Sequence, residues 1–336
     1  MDQNWNISFD GCFFENHSTK RGSKEIKINK IFDWDGQNVH IPSIYLSTKG
    51  LIVDILLETD KEKVWKFIEK FDLINDEYGS SLTKDQRDEL ERENPLHFSF
   101  NTTIMVNKKL IKQCRGSACT WIPNLPEEKC PSQEAKEAID HYGMDPEKAW
   151  SVHRVRFEWA TVKRPNIKDL SIMLSSDKSY FPAEHFKNPL KGDIVKITDP
   201  TNGNEYKLTV EDIEKYSLGN LHLDSNDKEL PKNYTVISYV IEPDIGMEEF
   251  HLDDCIESDF VRVSPSKDMK NADERAIKAE SIGIIGGIDG PIAVLTASVP
   301  NKRTATSSIH FDTEYDIEWR AIFRKKLKSD VVFKLI

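Results

Sequence analysis

The amino-acid sequence predicts an α+β protein, built mainly of antiparallel sheets with hairpins and a few packed helices. Three features predict it. Apolar and polar residues alternate over many short stretches, which is the period of a strand with one covered face. Asp-Gly and Asn-Gly pairs stand between such stretches, where a tight hairpin turn needs them. Only a few segments repeat their apolar residues at helical spacing.

The elements follow in chain order. Glu25 to Phe32, the turn Asp33-Trp-Asp-Gly36 and an extended stretch through Leu46 read as a hairpin. Leu51 to Leu57 is apolar except for one Asp, which suits a strand covered on both faces. Thr59 with Glu62 forms a capping box, and Val64, Phe67, Ile68 and Phe71 then share a helical face. Thr83 to Glu93 is helical by propensity but charged all round, and Pro95 closes it. Phe98, Phe100, Ile104 and Val106 alternate as a half-buried strand. Ser132 can cap a helix whose face is Ala135, Ala138, Ile139 and Tyr142, with Gly143 as its left-handed stop. Asp145-Pro146 restarts a helical turn. From Val152 the period is two, with His153, Val155, Phe157 and Trp159 on one face and Arg154, Arg156 and Glu158 on the other.

Residues 166–265 are expected to be strand-rich. Their clearest unit is the hairpin Asp193–Thr198, Asn202-Gly203, Glu205–Val210. Glu211 to Tyr216 reads as a short helix, and Tyr234–Ile241 and Phe260–Val263 as strands bounded by prolines. Ser264 to Glu280 has little apolar content and reads as a linker. In the last block, Ile309 to Trp319 alternates as one long strand, with Val331 to Ile336 pairing back across the Lys-rich turn. The expected regions are therefore 1–165, 166–265 and 281–336, the last able to share a sheet with the middle one.

Length and charge bound the function. A chain of 336 residues with 38% apolar content is long enough for two cores. A formal charge of -11 repels phosphate backbones and anionic lipid, so nucleic acid is not an expected partner. No stretch approaches the ~20 apolar residues of a membrane span, and the first ten residues lack a secretory pattern, so a soluble, cytoplasmic protein is expected. Five scattered cysteines fit reduced thiols.

One segment stands apart chemically. Ser281 to Thr296 carries glycines at 283, 286, 287 and 290 around Asp289. The backbone of Gly286, Gly287 and Gly290 can approach a small polar ligand or cation closely, with Asp289 supplying a carboxylate; the same pattern also suits two buried strands joined by a turn. The dinucleotide order of glycines and the Walker lysine are absent. The segment resembles the Ile-Gly-Ile-Ile-Gly-Gly-x-Asp-Gly-Pro signature of the β subunits of sodium-translocating carboxylic-acid decarboxylases, over about sixteen residues. That resemblance implies a sodium-handling aspartate at the position of Asp289. Those subunits are membrane-embedded, however, and their activity is not implied for a chain without a span. The same segment, with Ser307–Phe311, Ile317–Arg320, Phe323-Arg324 and the hairpin at 199–210, is similar to a group of soluble bacterial proteins, a resemblance that brings no activity with it.

Other candidates are weaker. Cys114, Cys119, Cys130 and His141 are ligand types for zinc, but no Cys-x-x-Cys knuckle is present, so no metal is expected and no cofactor is named. Asp33, Asp35 and Asn38 depart from a calcium loop because the glycine comes too early. Asp312, Glu314, Asp316 and Glu318 form an acidic face that either binds a partner or protects a solvated edge. The expectation is a binding or protein-interaction protein. The alternative is a hydrolase whose Cys, His and Asp residues, from His97, Cys114, His141, His153 and Asp289, converge only in three dimensions.

Overall fold

The computed structural model describes residues 5–11, 22–74, 82–97, 99–125, 133–161, 164–218, 228–256, 258–259, 262–263, 302–313 and 316–336. The expected linker at 264–280 and the glycine-rich segment, with Gly286, Gly287, Asp289 and Gly290, lie outside them, as do Cys12, Phe98, Cys130, Ser132 and Glu314.

The elements run β1 (Lys24–Trp34), β2 (Gln37–Leu46), β3 (Gly50–Thr59), α1 (Lys61–Lys70), α2 (Lys84–Glu93), β4 (Phe100–Val106), β5 (Lys109–Lys112), β6 (Arg115–Trp121) and α3 (Gln133–Tyr142). They continue as β7 (Ala149–Glu158), β8 (Leu170–Ser176), β9 (Lys178–Lys187), β10 (Ile194–Thr198), β11 (Glu205–Ser217) and β12 (Lys228–Glu229). The last are β13 (Asn233–Glu242), β14 (Phe250–Asp254), β15 (Arg262–Val263), β16 (Arg303–Thr306), β17 (Glu318–Lys326) and β18 (Val331–Lys334). Every strand pairing with a described register is antiparallel. With three helices among the described residues, the fold is richer in sheet than the α+β expectation suggests. The chain divides into two units, Met1–Ser179 with Lys325–Ile336, and Tyr180–Arg324. The expected boundaries follow composition, whereas backbone pairing carries β8 and β18 into the first unit.

In the first unit, sheet β1-β2-β3-β7-β6 packs one face on sheet β18-β8-β4-β5. Val53, Ile55, Leu57 and Phe157 meet Ile104, Ile172, Leu174 and Phe333 there. The other face of the larger sheet is covered by α3 through Ala138 and Ile139 and by the segment around Ile7, while α1 packs Val64, Phe67 and Ile68 over Leu96 and Ala149. Leu51 to Leu57 is buried on both faces, as its continuous apolar run implies. The first hairpin turns at Asp35 and Gly36, with φ of 47° and 81°, the two left-handed positions of a tight turn. The helix α2 carries the Thr83–Gln86 capping box and buries nothing, as its all-round charge predicts.

Some local expectations fail. The N-cap of α1 is Asp60, whose Oδ1 accepts from the Glu62 amide at 2.9 Å; Thr59 belongs to β3 and its hydroxyl donates to the Pro95 carbonyl. Asp145-Pro146 forms a turn without a helix. On β7 both faces are covered, so Arg154 and Arg156 are buried rather than solvated.

The second unit packs sheet β10-β11-β13-β16 on sheet β14-β17-β9 around Leu208, Ile237, Tyr239, Phe250, Trp319 and Phe323. The β10–β11 hairpin forms in the expected place. Glu211 to Tyr216 is strand, not helix: after a bulge at Val210–Asp212, β11 continues along β13, and Tyr216 stacks on Tyr234. Ladder bonds and cross-strand packing override the helix-forming local sequence. The long strand expected over 309–319 is also absent among the described residues. His310 makes a single bridge to Asn233, and regular pairing begins at Glu318. Side chains take the backbone groups in between, since the Phe311 amide donates to Asp259 and the Ile317 amide to Asn188. Val331–Lys334 pairs with β8 instead of folding back on β17.

Candidate functional site

Among the described residues, the Cys and His side chains singled out from sequence do not form one cluster, although His97 lies near enough to His153 to act on its charge. His153 sits against Phe100, with Ser151 Oγ 2.8 Å from its Nε2; burial, aided by the neighbouring His97, pulls its pKa down to about 4, so the ring is neutral. The Cys114 thiol donates to the Arg156 carbonyl at 3.2 Å. His141 stacks on Trp5 with centroids 4.2 Å apart and meets Glu25 Oε1 at 3.2 Å. Among the described residues, no group of three or more His, Cys, Asp or Glu side chains is arranged to hold a metal.

His141 belongs to a network that the sequence did not reveal. Asp54 of β3 stands opposite Arg154 of β7 in register, and the guanidinium grips the carboxylate through Nε at 2.8 Å and Nη2 at 2.7 Å. Both side chains are 0% exposed. Tyr142 at the end of α3 donates to Asp54 Oδ2 at 2.6 Å. Because that hydroxyl proton is committed, the 2.6 Å contact between Tyr142 and Tyr45 is donated by Tyr45, which itself accepts from Trp5 Nε1 at 2.8 Å. A one-directional chain thus runs from Trp5 through two tyrosines to the aspartate. Burial, and then the Asp54 charge, push both tyrosines far above their ordinary range, while Asp54 raises Arg154 against the opposing pull of burial. The neighbouring Arg156 donates to the Gly11 carbonyl at 2.6 Å. The network pins α3 and the segment containing Trp5 and Gly11 onto the outer sheet face. Its chemistry is fastening, because its bonds join elements of the fold to one another.

The second unit carries a cluster that faces solvent. Of the expected acidic face, Asp316 accepts from Asn188 Nδ2 at 3.0 Å, and Glu318 lies between Lys187 and His185. Glu318 Oε2 is 3.1 Å from Lys187 Nζ, and Oε1 is 3.1 Å from His185 Nδ1. Lys187 and then His185 hold this carboxyl below the usual range. The face is therefore of mixed charge. Cys255, just beyond β14, donates its amide to the Glu318 carbonyl at 2.8 Å, and its Sγ lies 3.6 Å from the same His185 Nδ1. Three adjacent strands of one sheet thus place a thiol, an imidazole, a carboxylate and an ammonium together.

Sequence reasoning missed Asp54, Arg154, Tyr45 and Trp5, and also Cys255, His185 and Lys187. One signal was present for the first group: a lone Asp in an otherwise apolar run must find a counter-charge if both strand faces are buried. For the second group the sequence held no local signal, because the residues lie up to 133 positions apart. No protein family, curated protein or solved structure matches the chain.

Proposed function

We propose that this protein acts by binding a protein partner, in the cytoplasm, through the charged end of the β14–β17–β9 sheet. One observation carries the reading. Lys187, His185 and Glu318 project from paired strands with side chains 70%, 33% and 29% exposed, so charges of both signs are presented on a fixed backbone. Interspersed charges of that kind orient a partner and suppress wrong ones. Asp316 extends the same region through its bond with Asn188, next in sequence to Lys187, and adds a carboxylate that suits a partner with basic residues at its rim.

In the first unit the polar groups that chemistry would use are bonded to one another inside the fold, and this supports binding over turnover. The test is native mass spectrometry of protein purified gently from its source. A retained protein is expected, and the pair Asp316→Lys with Lys187→Glu should release it with melting unchanged. A bare chain at all ionic strengths, or a retained partner indifferent to both substitutions, overturns the proposal.

A further inference from the structure

We infer that Cys255 is a reactive thiol, held as a thiolate beside the His185 imidazole, and that its class of reaction partner is a hydroperoxide. The inference does not depend on the binding role above. It begins with the sheet. The bond from the Cys255 amide to the Glu318 carbonyl extends the β14–β17 ladder by one residue, so Cys255 and Glu318 emerge side by side. From the other flank of β17, β9 supplies His185 and Lys187.

The charges decide what this thiol does. An imidazolium 3.6 Å from Sγ favours the thiolate, which is the nucleophilic form. Glu318 lies against the same imidazole, and being itself paired to Lys187 it opposes the thiolate with less than a full charge. The sulfur thus has the imidazole as its neighbour, with the Glu318–Lys187 pair beyond the ring. Asp253 and Arg320, the next residues on the same faces of β14 and β17, pair with each other at 3.1 Å. The thiol and the carboxylate meet the same ring nitrogen, Nδ1. An acyl-transfer relay places its orienting carboxylate behind the ring, on the other nitrogen. The present arrangement has its carboxylate on the same nitrogen as the thiol and not behind the ring, which favours modification over hydrolysis.

The step balances simply. The sulfur attacks the terminal oxygen of the hydroperoxide, an S–O bond forms and the O–O bond breaks. Sulfur is oxidised to the sulfenic acid, and the departing oxygen takes a proton from His185 and leaves as water or alcohol. A thiol in solution condenses with the sulfenic acid to a mixed disulfide and water, and a second thiol exchanges with that disulfide to restore Cys255 and leave as the oxidised pair.

The test is the rate of alkylation by iodoacetamide, followed peptide by peptide across pH 5 to 10, with glutathione as the unperturbed reference. Cys114, whose thiol donates to the Arg156 carbonyl and has no imidazole beside it in that bond, serves as the internal comparison. The midpoint for Cys255 is expected at least about one unit below the ordinary thiol value of ~8.5. At pH 7 the first such unit multiplies the thiolate about eightfold, and lower intrinsic nucleophilicity takes back about threefold, leaving a net gain of about threefold over the reference. His185→Asn should return the midpoint to the ordinary value. Hydrogen peroxide at low excess should place a dimedone-reactive sulfenic acid on Cys255 before Cys114. A wild-type midpoint at or above the ordinary value, which needs no variant to fold, overturns the inference; so does a lowered midpoint that His185→Asn leaves in place.

Discussion

The two units treat the same chemical vocabulary in opposite ways. In the first, the Asp54–Arg154 pair is sealed between β3, β7, α3 and the segment around Trp5, and Tyr142 adds a further bond to its carboxylate. In the second, Glu318 pairs with His185 and Lys187 where all three side chains meet water. Burial, and not residue type, separates a fastening from a working surface. In a low-dielectric site an ion pair is worth keeping only if every lone pair and proton is satisfied, and there it serves uniqueness of packing more than raw stability. At the surface the pair contributes little to stability, and its side chains remain available to a partner or a reagent.

Substitutions can break this contrast. The largest effect is expected from Asp54→Ala, which strands a buried guanidinium and should cost about 3–5 kcal/mol in urea unfolding of the first unit. If the loss is under about 1 kcal/mol, Arg154 has found water or another acceptor and the sealed description fails. Replacing the pair together, Asp54→Leu with Arg154→Met, should recover most of the loss, because apolar side chains of similar volume need no partner.

Acid gives the next effect. His153 is neutral in the fold with its pKa at about 4, below the ~6.5 of an unfolded histidine, so its contribution is full above about pH 6.5 and drains away as pH falls toward the folded value. Roughly 2 kcal/mol should disappear between pH 7 and pH 4.5, and His153→Phe should flatten the stability profile in that window. Gly143, at φ 64°, closes α3 in the left-handed region with open space around it; Gly143→Ala should therefore cost about 1 kcal/mol from backbone strain alone, measured by thermal melting. The smallest change belongs to the exposed cluster, where Glu318→Ala should alter stability by less than about 1 kcal/mol. A loss as large as that of Asp54→Ala would make the two clusters equivalent.

Much of the fold was legible because local chemistry and tertiary contacts agree. Asp35-Gly36 adopts the two positive φ values that the hairpin needs, the charged stretch from Lys84 to Glu93 is helix, and the apolar run of β3 is covered on both faces. Failures cluster where a distant partner decides. Glu211 to Tyr216 would hold as a helix alone, but the unsatisfied edge of β13 captures it as strand. The alternation from Ile309 to Trp319 is real, yet Asn188 and Asp259 take the amides that a strand partner would have used. The period of β7 was read correctly, but a period does not say that something covers the polar side. Arg154 and Arg156 are buried because α3 and residues 5–11 lie over them, and those contacts reach as far as 145 positions along the chain. For the same reason neither cluster was visible as a site. Each is assembled from strands that become neighbours only in the finished sheets.

The pairing of β18 with β8 sets an order of events during synthesis. Phe333 and Leu335 belong to the core that Ile104, Ile172 and Leu174 build, and Trp34 donates its indole N–H to the Ser329 carbonyl. A ribosome that has finished residues 1–179 has therefore released a sandwich still lacking one outer strand, and must translate the whole second unit before that strand arrives. Until then the free edge of β8 is a template for any passing extended chain. A nascent chain halted before residue 331 is expected to be the aggregation-prone species, and full-length chain the one that escapes it.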